Sequence, residues 1–145
     1  MNDKNKIRVD LVRSWHEDQI VELYRAAGWW KEEMDASKIN DLIQGSFLFA
    51  VAIDISTSRA VGMGRVISDG IADAYIQDLV VQGDWRSWGV GTMILTLLLE
   101  ECKLRNITWI GLIAEPGSEE FYRSHGFAPM PEHVPMLFHE EAKGC

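Results

Sequence analysis

Hydrophobic and polar positions near the start of the chain change from a period of two to a helical period. Alternation over residues 6–13 predicts a strand. Apolar residues then recur at the spacing of an amphipathic helix, at Ile20, Leu23, Tyr24 and Ala27. Ser14 and Glu17 have the spacing of a capping box, which should begin this helix, and Gly28 should end it. Asp35 is expected to cap a second helix.

The middle of the chain is rich in strand-type patterns separated by turn residues. The predicted strands are residues 47–54, 60–68, 74–81 and 108–114, and residues 136–138 could add an edge strand. A strongly apolar segment opens at Gly89 and predicts a buried helix that runs to residue 105. Residues 118–125 predict a short helix closed by Gly126. This order of elements predicts a single α+β or mixed α/β domain over residues 1–145.

Composition and charge are those of a folded, acidic protein. Of the 145 residues, 47% are apolar and 25% are charged, and the formal net charge is -8. These values argue against a disordered chain or a coiled coil. The negative charge repels phosphate backbones and anionic lipid, so neither nucleic acid nor a membrane is expected as a partner. No apolar stretch is long enough to predict a membrane-spanning helix.

The cysteine and histidine content predicts neither a disulfide framework nor a metal site. Cys102 and Cys145 are the only cysteines, which suits a reducing compartment. The histidines show no metal-ligand spacing, and no serine or cysteine motif supports hydrolase chemistry. The first residues lack the apolar core of a signal peptide, so a cytoplasmic location is expected.

The most informative segment joins the strand that ends at Val81 to the helix that opens at Gly89 and Gly91. The first amides of a helix lack intrahelical partners and carry partial positive charge, and glycines let a bulky anion approach them. Arg86 adds a cation, so this segment could bind an anion of pyrophosphate size. The alternative is a tight turn whose glycines serve packing. The spacing fits neither a P-loop nor a Rossmann fingerprint.

Three segments carry a resemblance to a known family. The series Arg86-x-x-Gly89-x-Gly91 resembles the Q/R-x-x-G-x-G/A motif of the GCN5-related N-acetyltransferases, which grips the pyrophosphate of acetyl-CoA in that family. Residues 76–81 resemble the family's fourth strand, and residues 121–127 resemble its closing FYxxxGF element. The three segments occur in the family's order, and by this resemblance the chain is identified as a member.

The resemblance implies an α+β, GNAT-like acyl-CoA N-acyltransferase fold. Its mostly antiparallel sheet would be splayed between strands 4 and 5 and flanked by about four helices. It also implies an N-acetyltransferase that uses acetyl-CoA as co-substrate and needs no metal. The acceptor would be a primary amine of a small molecule or peptide, attacking directly in a ternary complex. A non-catalytic acyl-CoA-binding regulatory module with the same fold is the alternative.

The resemblance further implies which residues bind the cofactor. They are Leu79, Val80, Val81, Arg86, Ser87, Trp88, Gly89, Val90, Gly91 and Thr92. Trp88 stands where a basic residue is common in the family, so it either weakens CoA affinity or covers the cofactor with its ring. The tail after Phe127 could add a strand across a homodimer.

Tyr122 and Asp78 are the candidate catalytic residues. By resemblance, Tyr122 protonates the departing CoA sulfur, since a phenol is protonated at neutral pH; the alternative is that it only packs. Asp78 is the candidate general base. A carboxylate inside an apolar strand calls for an explanation, although a backbone or Arg65 partner would equally provide one.

Aromatic residues are the candidates for binding the acceptor. By resemblance, Trp29 and Trp30 lie in the loop that covers the acceptor, where aromatic rings could hold an apolar amine or a cation. Tyr75 could line the same pocket. For all three side chains, simple packing is the alternative.

Overall fold

The computed structural model describes residues 4–140 and divides into two compact units, which separate between Leu112 and Ile113. The first unit contains the strands β1 (Ile7–Leu11), β2 (Leu48–Asp54), β3 (Arg59–Ser68), β4 (Asp73–Val81) and β5 (Trp109–Gly111). Its helices are α1 (Glu17–Ala26), α2 (Ile39–Gly45) and α3 (Val90–Leu104). The second unit holds α4 (Glu119–Arg123). A single domain over residues 1–145 stays a prediction.

The strands form one mixed sheet in the order β1-β2-β3-β4-β5. Neighbouring strands from β1 to β4 pair antiparallel, and β4 pairs with β5 in parallel. The pairing of β4 with β5 covers Asp73–Tyr75, while β4 continues beside β3 as far as Val81. β5 ends at Gly111, opposite Tyr75, so β4 extends beyond its pairing with β5. The mixed, mostly antiparallel sheet confirms the predicted fold class, and the splay between strands 4 and 5 stays a prediction.

The helices α1 and α3 cover opposite faces of this sheet. Met63 of β3 belongs to the apolar cluster that contains Leu23 of α1. Its neighbour Gly64 lies against Ile94 of α3 instead. Because successive residues of a strand point to opposite faces, the two helices pack on different sides. The strand β2 is buried along its whole length, which explains its nearly continuous apolar sequence.

Gly64 allows α3 to approach the sheet closely. A Cβ at this position would lie 2.9 Å from Cγ2 of Ile94 and 3.1 Å from Cδ1 of Leu79. Both distances are shorter than the carbon–carbon contact distance of roughly 3.5–4.0 Å. Packing of α3 thus fixes the position of the segment that leads from β4 into this helix.

The start of α1 corrects the predicted capping box. The helix begins at Glu17 with His16 at the N-cap, and no side chain caps it. The preceding segment is held by Asn40 instead: the Trp15 amide donates to Asn40 Oδ1 at 2.9 Å, and Asn40 Nδ2 donates to the Trp15 carbonyl at 3.1 Å. A contact with a residue distant in sequence has replaced the local cap that the spacing predicts.

The edge strand expected at residues 136–138 is also wrong. The structure assigns no strand to this segment, and the side chains of Met136, Leu137 and Phe138 are 89%, 80% and 87% exposed. A strand is stable only when its backbone pairs with a neighbour, and so short an apolar run does not specify one. Among residues 4–140, no helix is both long and apolar enough to cross a membrane.

Candidate active site

The turn between β4 and α3 has the geometry of an anion site. Val81 ends β4, and a 3-10 turn over Gly83–Trp85 follows, anchored by the buried Trp85 ring. Gly89 is the N-cap of α3 and has φ +80, a left-handed conformation that favours glycine. A Cβ at Gly89 would meet no atom within 4 Å, so the space beside it is open. The positive end of α3 therefore faces an accessible surface.

Arg86 places a cation at this turn. Its Nε donates to the carbonyl of Val81 at 3.1 Å, which ties the turn back to the end of β4. The side chain is otherwise exposed, and guanidinium carries further N–H donors that suit phosphate oxygens. The Trp88 ring, 39% exposed, belongs to the same turn. A local positive site thus exists on a chain of net charge -8.

Two of the predicted cofactor-binding side chains are core residues. Val80 and Val90 are 7% and 1% exposed, and Val80 belongs to the apolar cluster beneath α1. Only their backbone groups are left for a ligand. Leu79 and Val81 are partly exposed and lie on the part of β4 beyond its pairing with β5. That stretch has no pairing with β5.

Asp78 lies in a bulge of β4. Met63 pairs with Val80 and Arg65 pairs with Gln77, so Gly64 faces both Asp78 and Leu79. Asp78 adopts φ +56, a conformation that costs most residues about 1–2 kcal/mol and that Asp tolerates better than others. The extra residue turns the carboxylate out of the regular alternation of the strand.

The Asp78 carboxylate has two partners on neighbouring elements. Arg65 Nε donates to Asp78 Oδ2 at 2.7 Å, and the Tyr24 hydroxyl donates to the same oxygen at 2.8 Å. The side chains of Arg65 and Asp78 are only 16% and 22% exposed. Arg65 is thus the partner of Asp78, one of the two kinds of partner that the sequence analysis considered. Its presence explains the buried charge, and the role of Asp78 as a base stays a prediction.

The Tyr24 phenol is locked in its protonated form. Burial, and next the negative charge of Asp78 together with the hydrogen bond to it, raise the pKa of Tyr24 far above its ordinary value. The hydroxyl therefore remains a donor at any physiological pH. Sequence reasoning placed Tyr24 among the apolar positions of α1. The overlooked signal is that a buried tyrosine needs a hydrogen-bond partner for its hydroxyl.

A pocket of about 270 Å³ brings Asp78 together with the two predicted acceptor-binding tryptophans. It is lined by Tyr24, Trp29, Trp30, Met34, Ile39, Leu42, Arg65 and Asp78. The ring centroids of Trp29 and Trp30 each lie 6.4 Å from that of Tyr24. Tyr75 lies elsewhere: it is 46% exposed, and its ring centroid is 5.2 Å from that of Trp109. The structure thus groups Trp29, Trp30 and Asp78 and leaves Tyr75 outside the pocket.

The end of α1 explains why the two tryptophans lie there. Gly28 has φ +79, and the Trp29 amide donates to the Tyr24 carbonyl at 2.9 Å, which closes the helix. Both indole rings are partly buried against the apolar cluster. They therefore pack and line the pocket at the same time, and the two interpretations of these residues are compatible.

Tyr122 belongs to the second unit and lies in α4. Its ring centroid is 5.1 Å from that of Phe121 and 5.8 Å from that of Phe127. The Phe127 amide donates to the Tyr122 carbonyl at 3.0 Å, which forms the predicted cap of this helix. Burial and then Glu115 raise the pKa of Tyr122, so the phenol holds its proton at neutral pH. Its role as a general acid stays a prediction.

Residues 4–140 contain no cluster of three or more His, Cys, Asp or Glu side chains arranged to hold a metal ion.

The fold is that of solved acetyltransferase structures. The structure resembles a GNAT-family acetyltransferase from Streptococcus pneumoniae, with a TM-score of 0.77, 22% identity and coverage of 93% of this chain and 98% of the other. A probable acetyltransferase from Staphylococcus aureus has a TM-score of 0.79, with 21% identity and coverage of 92% and 98%. At these identities the likeness concerns the fold.

The sequence profile of the acetyltransferase (GNAT) domain matches residues 13–135, and the chain belongs to this family. An uncharacterised N-acetyltransferase, ycf52, of Porphyra purpurea is 29% identical over 120 residues, covering 83% of this chain and 69% of the relative. The GCN5-related N-acetyltransferase 1, chloroplastic, of Arabidopsis thaliana is 30% identical over 117 residues, covering 81% and 58%. The protein is therefore an N-acetyltransferase, and it spans only part of the length of these relatives.

Proposed function

We propose that the protein transfers the acetyl group of acetyl-CoA to a primary amine of a small molecule or peptide. The observation that carries the proposal is the β4–α3 turn, where Arg86 and the N-terminus of α3 form a positive site beside the open space at Gly89. Pyrophosphate is the part of acetyl-CoA that such a site fits. The residues present therefore suit this co-substrate.

The part of β4 beyond its pairing with β5 supports the placement of the rest of the cofactor. β5 ends opposite Tyr75, and β4 runs on to Val81, directly before the turn that contains Arg86. An extended pantetheine chain can pair with the backbone of such a strand, as an added strand would. The thioester would then lie near Leu79. It would be next to Asp78, which lines the pocket.

The reaction proposed is direct attack in a ternary complex. The amine nitrogen forms a bond to the thioester carbonyl carbon, and the bond between that carbon and the CoA sulfur breaks. The proton lost by the amine passes to Asp78 or to water, and the departing thiolate takes a proton from Tyr122. Tyr122 regains its proton from solvent. The result is one N-acetylated amine and one free CoA thiol.

The names of relatives leave the acceptor open. A rice protein 32% identical over 79 residues is named a serotonin N-acetyltransferase, and a soybean protein 29% identical over 120 residues is named a histone acetyltransferase. One name specifies a small amine and the other a protein. Homodimer formation and a cytoplasmic location likewise stay predictions.

Calorimetry of CoA binding tests the cofactor site. Arg86→Ala should weaken CoA binding by about tenfold to a hundredfold, because a hydrogen bond to a charged group contributes about 1.5–3 kcal/mol. Arg8→Ala removes the same charge from an exposed arginine of β1 and should leave the affinity unchanged. Equal affinity in all three proteins would refute the site.

Release of free thiol from acetyl-CoA, measured over a panel of amines, tests the transfer itself. Turnover with at least one amine supports the proposal. Binding of CoA without any thiol release would favour the alternative, a regulatory module that binds acyl-CoA.

A further inference from the structure

We propose that the pocket around Asp78 selects a small amine that carries one positive charge on a flat apolar body. This inference rests on the proposed function, because it names the acceptor class of the same enzyme. It predicts that aromatic monoamines are preferred over polyamines and over lysine side chains.

The charged groups that line the pocket can bind one ammonium group. Asp78 provides the single carboxylate among the described residues that line it. Both hydrogen bonds recorded for that carboxylate, from Arg65 and Tyr24, end on Oδ2, so no residue within 4–140 donates to Oδ1. In this part of the chain every fully buried side-chain polar atom has a partner, so Oδ1 reaches solvent. An ammonium can therefore bind Oδ1 while the other oxygen stays occupied.

A second positive charge has no partner in this pocket. Arg65, which lines the same space, already carries a cation and would repel another. An ammonium transferred from water into an apolar lining without a carboxylate loses its hydration without compensation. Polyamines would therefore bind more weakly here than a monoamine of similar size, despite the negative charge of the whole protein.

The remaining lining favours a flat apolar body. Trp29 and Trp30 present indole rings, with Met34, Ile39 and Leu42 beside them. Aromatic rings stack on such surfaces, and an ammonium close to indole gains a cation–π attraction. The slender chain of a lysine would leave part of this surface unfilled. The volume of about 270 Å³ is slightly below the roughly 300–1,000 Å³ of typical ligand pockets, which suits a small molecule.

Steady-state thiol release with three probes tests the selection: 2-phenylethylamine, 1,6-diaminohexane and an Nα-acetyl-lysine amide. The kcat/KM for 2-phenylethylamine should exceed that of the other two by at least about tenfold, the ratio that 1.4 kcal/mol produces. A preference for the diamine or for the lysine derivative would overturn the inference.

Tryptophan variants show whether the pocket is responsible. Trp30→Leu should raise the KM for 2-phenylethylamine by at least about fivefold at unchanged CoA affinity. Trp30→Phe keeps a ring and should raise it less. Trp15→Leu is the matched control, because Trp15 packs on the same apolar cluster but does not line the pocket. An equal rise in KM in Trp15→Leu would overturn the assignment.

A charge variant and a binding assay complete the test. Asp78→Asn should weaken binding of 2-phenylethylamine, whereas Asp10→Asn, which removes an exposed charge of β1, should not. Binding is followed by quenching of tryptophan fluorescence in the presence of CoA, so it needs no turnover. Saturable binding that is lost in Trp30→Leu, without thiol release from any amine, would sustain this inference and refute the proposed transfer. Absence of saturable binding to the wild-type protein would overturn the inference.

Discussion

Replacing Tyr24 by Phe tests the hydrogen bonds among the residues that line the pocket. The substitution keeps the ring, which is only 8% exposed, and removes the hydroxyl that donates to Asp78 Oδ2 at 2.8 Å. Packing against the apolar cluster is retained, so the fold should survive. The measured loss then reports on this one hydrogen bond and on its coupling to protonation.

The size of the loss at neutral pH follows from the charge of the acceptor. A hydrogen bond to an ionised group contributes about 1.5–3 kcal/mol. Arg65 still donates to the same oxygen in Tyr24→Phe, so the carboxylate does not become an unpaired buried charge. We therefore expect the free energy of unfolding to fall by about 1.5 kcal/mol, the lower end of that range.

The dependence on pH gives a second, independent signature. In the unfolded chain Tyr24 loses its proton near the ordinary value of 10.0, whereas the folded protein retains it because the pKa is raised. Above that pH the folded state binds more protons than the unfolded state, so stability decreases as the pH rises. The advantage of wild type over Tyr24→Phe should shrink by about 1.4 kcal/mol per pH unit above 10.

Urea unfolding followed by tryptophan fluorescence, at several pH values between 7 and 11.5, provides the assay. Tyr75→Phe is the control, since Tyr75 is 46% exposed and its hydroxyl has no hydrogen bond to any residue within 4–140. Its effect should stay within about 0.5 kcal/mol. If Tyr24→Phe were as stable as wild type at pH 7 and the two stability curves stayed parallel above pH 10, the bond to Asp78 would not exist in solution.

Three further predictions concern glycines and the second unit. Gly89→Ala should lower the free energy of unfolding, measured by urea titration, by about 1–2 kcal/mol, because φ +80 strains alanine although the space for its Cβ is open. Gly83 has equally open space and no positive φ, so Gly83→Ala should leave that free energy unchanged. Gly64→Ala should cost about 1–3 kcal/mol, since its Cβ would lie 2.9 Å from Cγ2 of Ile94; a midpoint equal to wild type would contradict this packing. Tyr122→Phe should lower kcat by at least about tenfold with little change in CoA affinity; wild-type turnover across the pH range would show that Tyr122 only packs.

Local sequence signals located the β4–α3 turn correctly. The glycines and Arg86 lie within one short segment, and the strand before it and the helix after it have clear periods. Gly89 was expected to let an anion approach or to serve packing, and the open space beside it agrees with the first of these. The prediction failed for the capping box at Ser14 and for the very short run at residues 136–138, whereas the cap predicted after α4 is present.

The pocket around Asp78 was predicted only in part. The sequence singled out Trp29, Trp30 and Asp78 separately, with packing or ion pairing as alternatives. The structure shows that the alternatives coexist, because the tryptophans both pack and line the pocket and Asp78 is paired with Arg65. Tyr75 is an aromatic residue of the kind that often lines pockets, but its ring packs against Trp109 instead.

The sequence by itself determined the family, the β4–α3 turn and the order of the elements as far as α4, because each of these depends on residues that are neighbours along the chain. Only the tertiary structure decided what surrounds Asp78. Tyr24 lies 54 residues before it and Arg65 lies 13 residues before it, and no local period relates the three. The sheet register, the bulge at Asp78 and the packing of α1 bring them together. Burial then raises the pKa of Tyr24 and leaves one carboxylate oxygen of Asp78 open to solvent, and both effects arise from distances that exist only in the folded protein.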